Sequence, residues 1–393
     1  MQHSREICSQ CVMDISDSEI TFNENGVCCH CQEFENVTSK HWFPNEVGRK
    51  KLESILSKIR SDGINKEYDC IVGLSGGVDS SYLALVLKEY KLRPLVLHVD
   101  AGWNSQLAVN NIEQIVSKLN YDLHTHVIDW EEIKDLQVAY LRASVANQDV
   151  VQDHAIFASL YHYAVKNDIN YVISGGNIAT ESILPRSWQH AALDSINLLD
   201  IHRRFGKKEI HSYPIISFFE YYFYYPIVRK MRVVRPLNYM VYDKKIALQT
   251  LKDDFEFQEY GLKHCESIFT KFFQNYYLPT KFKIDKRRAH LSSQILAGQI
   301  TRDQALHELT IPLYNPSELN DDLSYIAKKL HLTNLELQTL ISAPPANYNV
   351  YANWDSRYKL LKSFQSILER LVKRNLRNYA YVNLPSHVGT SED

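Results

Sequence analysis

The sequence has no long apolar run and almost no net charge. No stretch is long enough to span a bilayer, and the first residues, MQHSREICSQC, lack the hydrophobic region of a signal peptide. A net charge of −2 over 393 residues gives no bulk signal for binding nucleic acid or membrane. The apolar content of 45% is that of a soluble globular protein. We therefore expect a cytoplasmic protein of two or three domains without a transmembrane segment.

Cysteine is scarce in most of the chain, because five of the seven cysteines lie within the first 31 residues. Four of them form two pairs, Cys8-x-x-Cys11 and Cys28-x-x-Cys31, with sixteen residues between the pairs. This spacing is typical of a zinc ribbon, in which two tight turns bring four thiolates onto one tetrahedral ion. An iron–sulfur cluster is the main alternative. Residues 1–45 are therefore predicted to form a zinc ribbon with a structural metal, in which Cys29 and His30 are spare.

Two common nucleotide motifs are missing. The chain lacks both the lysine of a Walker A loop and a GxGxxG turn. It has instead SGGVDS (Ser75–Ser80), between an apolar strand pattern at 69–74 and a helix pattern at 81–90. Glycine lets backbone N–H groups approach an oxyanion, and a helix N-terminus favours negative charge. We predict a phosphate-binding loop whose contacts are Ser75, Gly76, Gly77, Asp79, Ser80 and Ser81.

Strand and helix patterns alternate after this loop. Strands are predicted at 93–99, 124–130, 171–174 and 231–237, and helices at 105–119, 131–145 and 152–166. This order predicts an α/β fold with a doubly wound parallel sheet, in which ligands bind beyond the carboxyl ends of the strands. Candidates at those ends are Asp100, Trp103, Gly175, Gly176, Asn177 and Glu181. Asp153 and His154, at the start of the helix predicted at 152–166, could reach the same crevice. The alternative for the polar ones is helix capping or exposure to solvent, and for Trp103 it is the core.

The remaining regions complete the predicted domains. The α/β domain spans 46–255 and carries an aromatic helical insertion at about 182–230. We interpret the insertion as a buried helix of a cap, with a docking surface for a partner or a membrane face as the alternative. Residues 256–315 hold a cationic cluster of five Lys or Arg within 281–288, which is suited to phosphates or a carboxylate. An exposed basic face or a nucleic-acid patch is its alternative. Residues 316–393 are helical in pattern.

The motifs in this order resemble one family. The cysteine ribbon, SGGVDS, the GGN turn, KHCESIFTKF and KIDKRRAHLSS are similar to those of N-acetyl sugar amidotransferases, which belong to the PP-loop ATP pyrophosphatases. The resemblance covers roughly residues 5–315, and Lys283, where the family often has glycine, is a departure from it. It implies ATP-dependent conversion of an acetamido to an acetamidino group on an acidic sugar. The family context is bacterial lipopolysaccharide O-antigen and nonulosonic acid synthesis.

The resemblance also implies roles for individual residues. ATP would adenylate the amide oxygen, pyrophosphate would remain on the SGGVDS loop, and ammonia would then displace AMP. Nucleotide contacts would include Asp100, Gly175, Gly176 and Asn177, and Mg²⁺ ligands would be Asp79 and Asp153. Phosphates or an acidic sugar would be neutralised by Lys281, Lys286, Arg287 and Arg288. Protons or sugar hydroxyls would be handled by His264, Glu266 and His290.

A glutaminase centre is not recognisable in the sequence. Cys70 lies within a strand pattern, Cys265 has no glycine-flanked elbow, and residue 2 is Gln. We expect ammonia to come from partners that resemble the glutaminase and cyclase subunits of histidine biosynthesis. Nucleic acid is not expected as a partner. Two other functions remain open, a PP-loop tRNA-thiolating enzyme and a zinc-ribbon adaptor with a degenerate nucleotide domain.

Overall fold

Five short parallel strands form the sheet at the centre of the molecule. The computed structural model describes residues 7–259 and 266–372. The strands are β1 (Cys70–Gly73), β2 (Pro94–Asp100), β3 (Leu123–Val127), β4 (Tyr171–Ile173) and β5 (Arg232–Val234). Their order across the sheet is β3-β2-β1-β4-β5, and every neighbouring pair is parallel. The predicted α/β fold with a parallel sheet is confirmed.

β1 occupies the topological switch point of this sheet. Ile71 is aligned with Leu95 of β2 on one side and with Val172 of β4 on the other. The chain therefore winds outward in one direction through β2 and β3 and then returns to β4 on the opposite side of β1. Such a reversal opens a crevice at the carboxyl ends of the two central strands. The SGGVDS loop after β1 and the glycine pair after β4 flank this crevice.

Helices cover both faces of the sheet, as expected of a doubly wound fold. In chain order the α-helices are α1 (Cys29–Asn36), α2 (Glu46–Asp62), α3 (Val78–Glu89), α4 (Gln106–Leu119), α5 (Trp130–Ala143), α6 (Val150–Lys166), α7 (Ile178–Glu181), α8 (Ser195–Phe205), α9 (Lys244–Phe255), α10 (Ile268–Phe272), α11 (Arg287–Leu296), α12 (Arg302–Thr310), α13 (Pro316–Lys329), α14 (Asn334–Ser342) and α15 (Asp355–Val372). Side chains alternate along β1, so Cys70 and Val72 pack with α2, α3, α4 and α9. Ile71 packs on the other face with α5, α6 and α8.

The third strand is shorter than its sequence pattern predicts. β3 ends at Val127, and Trp130 begins α5, so the predicted end of that strand at residue 130 is wrong. Asp129 stops the strand because its side chain accepts a hydrogen bond from Glu132 N (3.1 Å) and caps the helix. Trp130 then packs edge-on against Trp103, with ring centroids 5.1 Å apart.

A second core joins the cysteine pairs to the C-terminal helices. The four paired cysteines share it with Trp103, with aromatic residues of α10 and the π-helix Phe273–Phe282, and with apolar residues of α13 and α14. Phe269 and Phe272 are fully buried there. The predicted C-terminal helical region is confirmed over its described part, while residues 373–393 lie outside the described residues.

The aromatic insertion is partly buried and partly exposed. It contains α8 and a π-helix at Glu220–Val228. Tyr225 is buried, and Tyr222 packs against Trp354, with ring centroids 5.5 Å apart. Phe219 and Val228 are exposed. Both earlier interpretations of the insertion therefore stay open. In the described residues, no helix has the length and apolar character needed to cross a membrane.

Candidate active site

The SGGVDS loop is a tight turn between β1 and α3. Gly76 has φ +83°, and a Cβ there would lie 2.6 Å from the carbonyl oxygen of Ala108, so the turn requires glycine. The hydroxyls of Ser75 and Ser80 lie 3.2 Å apart, and Gly77 N donates to Ser75 Oγ at 3.2 Å. Serine hydroxyls, backbone donors and the N-terminus of α3 thus meet at the predicted phosphate site.

The glycine pair after β4 lies directly against α3. A Cβ on Gly175 would be 3.2 Å from both Asp79 C and Ser80 N, so the two turns touch through their backbones. Asn177 Nδ2 donates to Asp79 Oδ1 at 3.5 Å. Ser81, also predicted as a phosphate contact, is fully buried in α3 and has no surface open to a ligand in this structure.

Asn177 and His290 meet at the short helix α7. The Asn177 side chain caps this helix by accepting a hydrogen bond from Thr180 N at 3.0 Å. His290 Nδ1 lies 3.3 Å from the carbonyl oxygen of Thr180, which brings α11 to the GGN turn. Arg235 follows β5 at the same edge of the sheet, and its burial lowers the pKa of its guanidinium. Sequence reasoning missed Arg235 because it placed this residue inside the strand predicted at 231–237. The predicted end of that strand is wrong, since β5 ends at Val234 and a 3-10 helix begins at Pro236.

Glu266 reaches the SGGVDS loop through a backbone bridge. Asn104 pairs with Ser267 in antiparallel fashion, so the segment after β2 holds the segment before α10. The flanking hydrogen bonds run from Ser105 N to Glu266 O (2.8 Å) and from Ile268 N to Trp103 O (2.9 Å). Glu266 Oε1 lies only 2.1 Å from where a Cβ on Gly77 would be. The carboxylate of Glu266 therefore lies directly against Gly77 of the SGGVDS loop.

The residues that follow β2 shape this segment. Asp100 Oδ1 accepts hydrogen bonds from Gly102 N (2.8 Å) and Asn104 Nδ2 (3.1 Å), so it orders the turn and does not cap a helix. Trp103 is only 1% exposed and packs against Phe269. For Trp103 the structure therefore supports the core alternative.

Two carboxyl groups lie next to this bridge. Ser267 Oγ donates to Gln152 Oε1 (2.9 Å), and Thr270 Oγ1 donates to Asp149 Oδ1 (3.0 Å). Burial raises the pKa of Asp149 to about 6. Burial, together with the negative charge of Asp149, raises the pKa of Asp153 to about 7, and Lys286 opposes both shifts. Both carboxyl groups therefore hold a proton more tightly than an ordinary aspartate does. Sequence reasoning named Asp153 and missed Asp149, which precedes it by one helical turn.

The four paired cysteines converge as predicted. All four are fully buried, and their sulfur atoms lie within 4.8 Å of one another. The Sγ–Sγ distances are 3.9 Å for Cys8–Cys31, 3.7 Å for Cys11–Cys28 and 3.6 Å for Cys28–Cys31. Sulfurs placed about 2.3 Å from a tetrahedral zinc ion would be about 3.8 Å apart, so the cluster fits zinc. Cys29 is not part of it, and His30 Nε2 bonds instead to Asp17 Oδ2 at 2.7 Å.

The segment that reaches the SGGVDS loop belongs to a region that matches a known protein family. Residues 266–365 match the family described as "LPS biosynthesis protein WbpG-like, C-terminal domain". By this similarity, residues 266–365 are called the WbpG-like domain below. The match begins at Glu266, whose carboxylate lies on the SGGVDS loop. No curated protein matches the chain.

Three solved structures show distant likeness to the chain. An NMN synthetase from Francisella tularensis is 14% identical with a TM-score of 0.33, and the match covers 68% of this chain and 98% of that one. An NH3-dependent NAD synthetase from Campylobacter jejuni is 16% identical with a TM-score of 0.28, and the match covers 40% of this chain and 72% of that one. An NAD+ synthetase from Burkholderia pseudomallei is 16% identical with a TM-score of 0.28, and the match covers 57% of this chain and 93% of that one. At these scores the likeness supports no functional conclusion, and the fold rests on the strand order itself.

The cations of the WbpG-like domain are mostly bound by protein groups. Lys281 Nζ donates hydrogen bonds to Ser144 Oγ (2.9 Å) and Leu340 O (2.8 Å). Arg287 forms an ion pair with Asp285 (2.7 Å) and donates to Ile311 O (2.8 Å). Arg288 forms an ion pair with Asp14 (2.9 Å) and donates to Val12 O (2.8 Å). Of these cations, Lys286 is the one whose charge acts on the two carboxyl groups beside the bridge. The catalytic assignments of Lys281 and Arg287 stay predictions.

One other predicted residue, His154, does not join the site. His154 is fully buried, its Nδ1 lies 2.9 Å from Ala192 O, and its Nε2 accepts a hydrogen bond from Ile216 N at 3.2 Å. It is therefore a core histidine, and burial lowers its pKa to about 4. His264 and Cys265 lie outside the described residues.

Proposed function

We propose that the chain is an ATP-dependent amidotransferase that converts an acetamido group of an acidic sugar to an acetamidino group in lipopolysaccharide O-antigen biosynthesis. One observation carries this proposal. The WbpG-like domain starts on the SGGVDS loop, where the Asn104–Ser267 bridge sets the carboxylate of Glu266 against Gly77. The predicted phosphate-binding loop and a segment matched to a lipopolysaccharide biosynthesis family therefore lie together.

The proposed reaction has two steps. The amide oxygen attacks the α-phosphorus of ATP, the bond to the β-phosphate oxygen breaks, and pyrophosphate leaves. Ammonia then adds to the activated carbon, the C–O bond breaks towards AMP, and loss of a proton from the new nitrogen gives the amidine. Acetamido sugar, ATP and ammonia thus become acetamidino sugar, AMP and pyrophosphate. The protein contributes by positioning the reactants and stabilising the developing charge.

The site offers groups for each part of this reaction. The hydroxyls of Ser75 and Ser80 and the N–H groups of the loop would hold pyrophosphate, and Asp79 would bind Mg²⁺. Asp153, with a pKa of about 7, suits uptake of the proton that ammonia loses better than it suits a magnesium ligand. Zinc would stabilise the ribbon, because protein sulfur fills all four positions.

Ammonia would come from partner subunits, as the resemblance implies. Among the described residues, the thiols outside the four-cysteine cluster are Cys29 and Cys70. Cys70 is fully buried, and burial raises the pKa of its thiol, which is unfavourable for a nucleophile. A glutaminase and a cyclase-like subunit that resemble those of histidine biosynthesis are therefore part of the proposal, as is a cytoplasmic location.

The test is an assay of the purified chain with ATP, Mg²⁺, ammonium at alkaline pH and a panel of acetamido sugars. We expect pyrophosphate and AMP to form together with a sugar whose mass shows replacement of O by NH. Asp79→Asn should abolish both products while the variant stays folded. Pyrophosphate release that depends on transfer RNA and on no sugar would contradict the proposal, as would absence of turnover even with the partner subunits present.

A further inference from the structure

Tyr242 contacts the carboxylate of Asp79 but belongs to none of the sequence motifs. Its hydroxyl donates a hydrogen bond to Asp79 Oδ1, although the two residues are 163 positions apart in the sequence. The ring is 5% exposed and packs in a small core with Ala179, Leu237 and Ala247. Gln299 Nε2 donates a hydrogen bond to the backbone carbonyl oxygen of Tyr242 at 2.8 Å. The ring is therefore fixed by its neighbours, and its hydroxyl is aimed at the first turn of α3.

The two hydrogen bonds to Asp79 fall on the same oxygen. Tyr242 OH and Asn177 Nδ2 both donate to Oδ1, whereas Oδ2 accepts no hydrogen bond from any described residue. Asp79 is half-buried in the crevice at the switch point. One carboxylate oxygen is thus held, and the other is left for a ligand. Mg²⁺ typically takes one or two carboxylates of this kind and completes its shell with waters and phosphate oxygens.

We propose that Tyr242 is a positioning residue that fixes the Asp79 carboxylate for a Mg²⁺ ion bound with the phosphates of a nucleotide. This inference rests on the proposed use of ATP. A tyrosine hydroxyl is protonated at neutral pH and can donate, so this hydrogen bond holds Oδ1 in place. Partners of this kind hold a ligand in its binding orientation, and their loss commonly weakens metal binding by about 10–100-fold.

Tyr82 provides a matched control. Its ring lies 5.7 Å from that of Tyr242, so it belongs to the same packing, and no hydrogen bond links its hydroxyl to a described residue. The experiment titrates Mg²⁺ into each protein with a non-hydrolysable ATP analogue and follows binding of the analogue by calorimetry. We expect Tyr242→Phe to raise the half-saturating Mg²⁺ concentration about 10–100-fold. Affinity for the analogue without Mg²⁺ should not change, and Tyr82→Phe should behave as the wild type.

The outcomes separate this inference from the proposed function. Wild-type Mg²⁺ dependence in Tyr242→Phe overturns the inference, and so does equal loss of binding with and without Mg²⁺, which would indicate a structural role. Failure of the wild type to bind the analogue overturns the proposed function and the inference together. If the Mg²⁺ dependence shifts as expected but no acetamido sugar is converted, the inference stands and the proposed function falls.

Discussion

Lys281 shows how one residue holds a half-buried charge. Its Nζ donates to Ser144 Oγ (2.9 Å) at the end of α5 and to Leu340 O (2.8 Å) in α14, and it lies 5.3 Å from the centroid of the Tyr277 ring. Burial lowers its pKa to about 8. These contacts connect the π-helix Phe273–Phe282 to two α-helices, which favours a structural role for a residue that the sequence nominated for catalysis.

The lowered pKa makes the contribution of Lys281 depend on pH. Between about pH 8 and the ordinary value of 10.5, the unfolded chain holds a proton that the folded chain has released. Lys281 is only half-buried, so solvent screening reduces the effect. The free energy of unfolding of the wild type, relative to Lys281→Met, should therefore rise across this window by roughly 1–2 kcal/mol. Urea unfolding near the two ends of the window measures it.

Lys283→Met is the control for this change, because it removes a lysine on the exposed side of the same turn, where Nζ donates to Thr280 O at 2.9 Å. If the difference in free energy of unfolding between the wild type and Lys281→Met is the same at both pH values, the half-buried charge of Lys281 does not destabilise the folded state. A Lys281→Met protein that folds normally but cannot turn over would support the catalytic assignment instead.

At the scale of elements, the glycine pair after β4 divides into two different roles. Gly175 lies against the backbone of α3, with Asp79 C and Ser80 N both 3.2 Å from the position of its Cβ. Gly176 faces only side-chain atoms, the nearest being Ser174 Oγ at 3.4 Å. The first glycine therefore sets the distance between the GGN turn and the SGGVDS loop, whereas the second has room for a methyl group.

We expect Gly175→Ala to lower the free energy of unfolding by about 1–3 kcal/mol, because the added methyl group forces two backbone segments apart. Gly176→Ala should be neutral or stabilising by up to about 1 kcal/mol, since it meets ordinary contacts and restricts the unfolded chain. Chemical denaturation of both variants measures these changes. Equal destabilisation of the two would mean that α3 and the GGN turn do not touch as described.

The central elements were predictable because β1, β2 and β4 are short apolar runs with glycine or aspartate at or just after their ends. All five predicted strands are present, with errors at two of their ends. The error at β3 arose at Asp129, which caps α5, and the error at β5 arose at Pro236, which begins a 3-10 helix. Contacts between elements were not predictable. Tyr242 and Asp79 are 163 positions apart, and nothing in their local sequences indicates the hydrogen bond. The same holds for Glu266 and Gly77, which a backbone bridge brings together.

At the scale of the whole molecule, the cysteine cluster is attached to helices from the other end of the chain. Arg302 Nη2 donates to Cys8 O (2.9 Å), and its Nε donates to Cys11 O (3.0 Å). Ser292 Oγ accepts a hydrogen bond from Val12 N at 3.1 Å. α11 and α12 therefore bind the turn that carries the first cysteine pair. A metal that holds this turn should stabilise both helices, including the one that brings His290 to the GGN turn.

Removal of one zinc ligand should show this coupling. We expect Cys28→Ser to lose bound zinc, which wild-type protein should hold at about one ion per chain by elemental analysis. Hydrogen exchange should then speed up in α11 and α12 more than in β1 and β2, because only the helices contact the turn through Arg302 and Ser292.

Cys29→Ser is the matched control for this experiment, because it removes a neighbouring thiol that is not part of the cluster. It should keep its zinc and its exchange pattern. Iron with sulfide in place of zinc would favour the iron–sulfur alternative while leaving the coupling intact. Unchanged exchange in α11 and α12 after metal loss would contradict the coupling, since their contacts to the first cysteine turn would then hold without the ion.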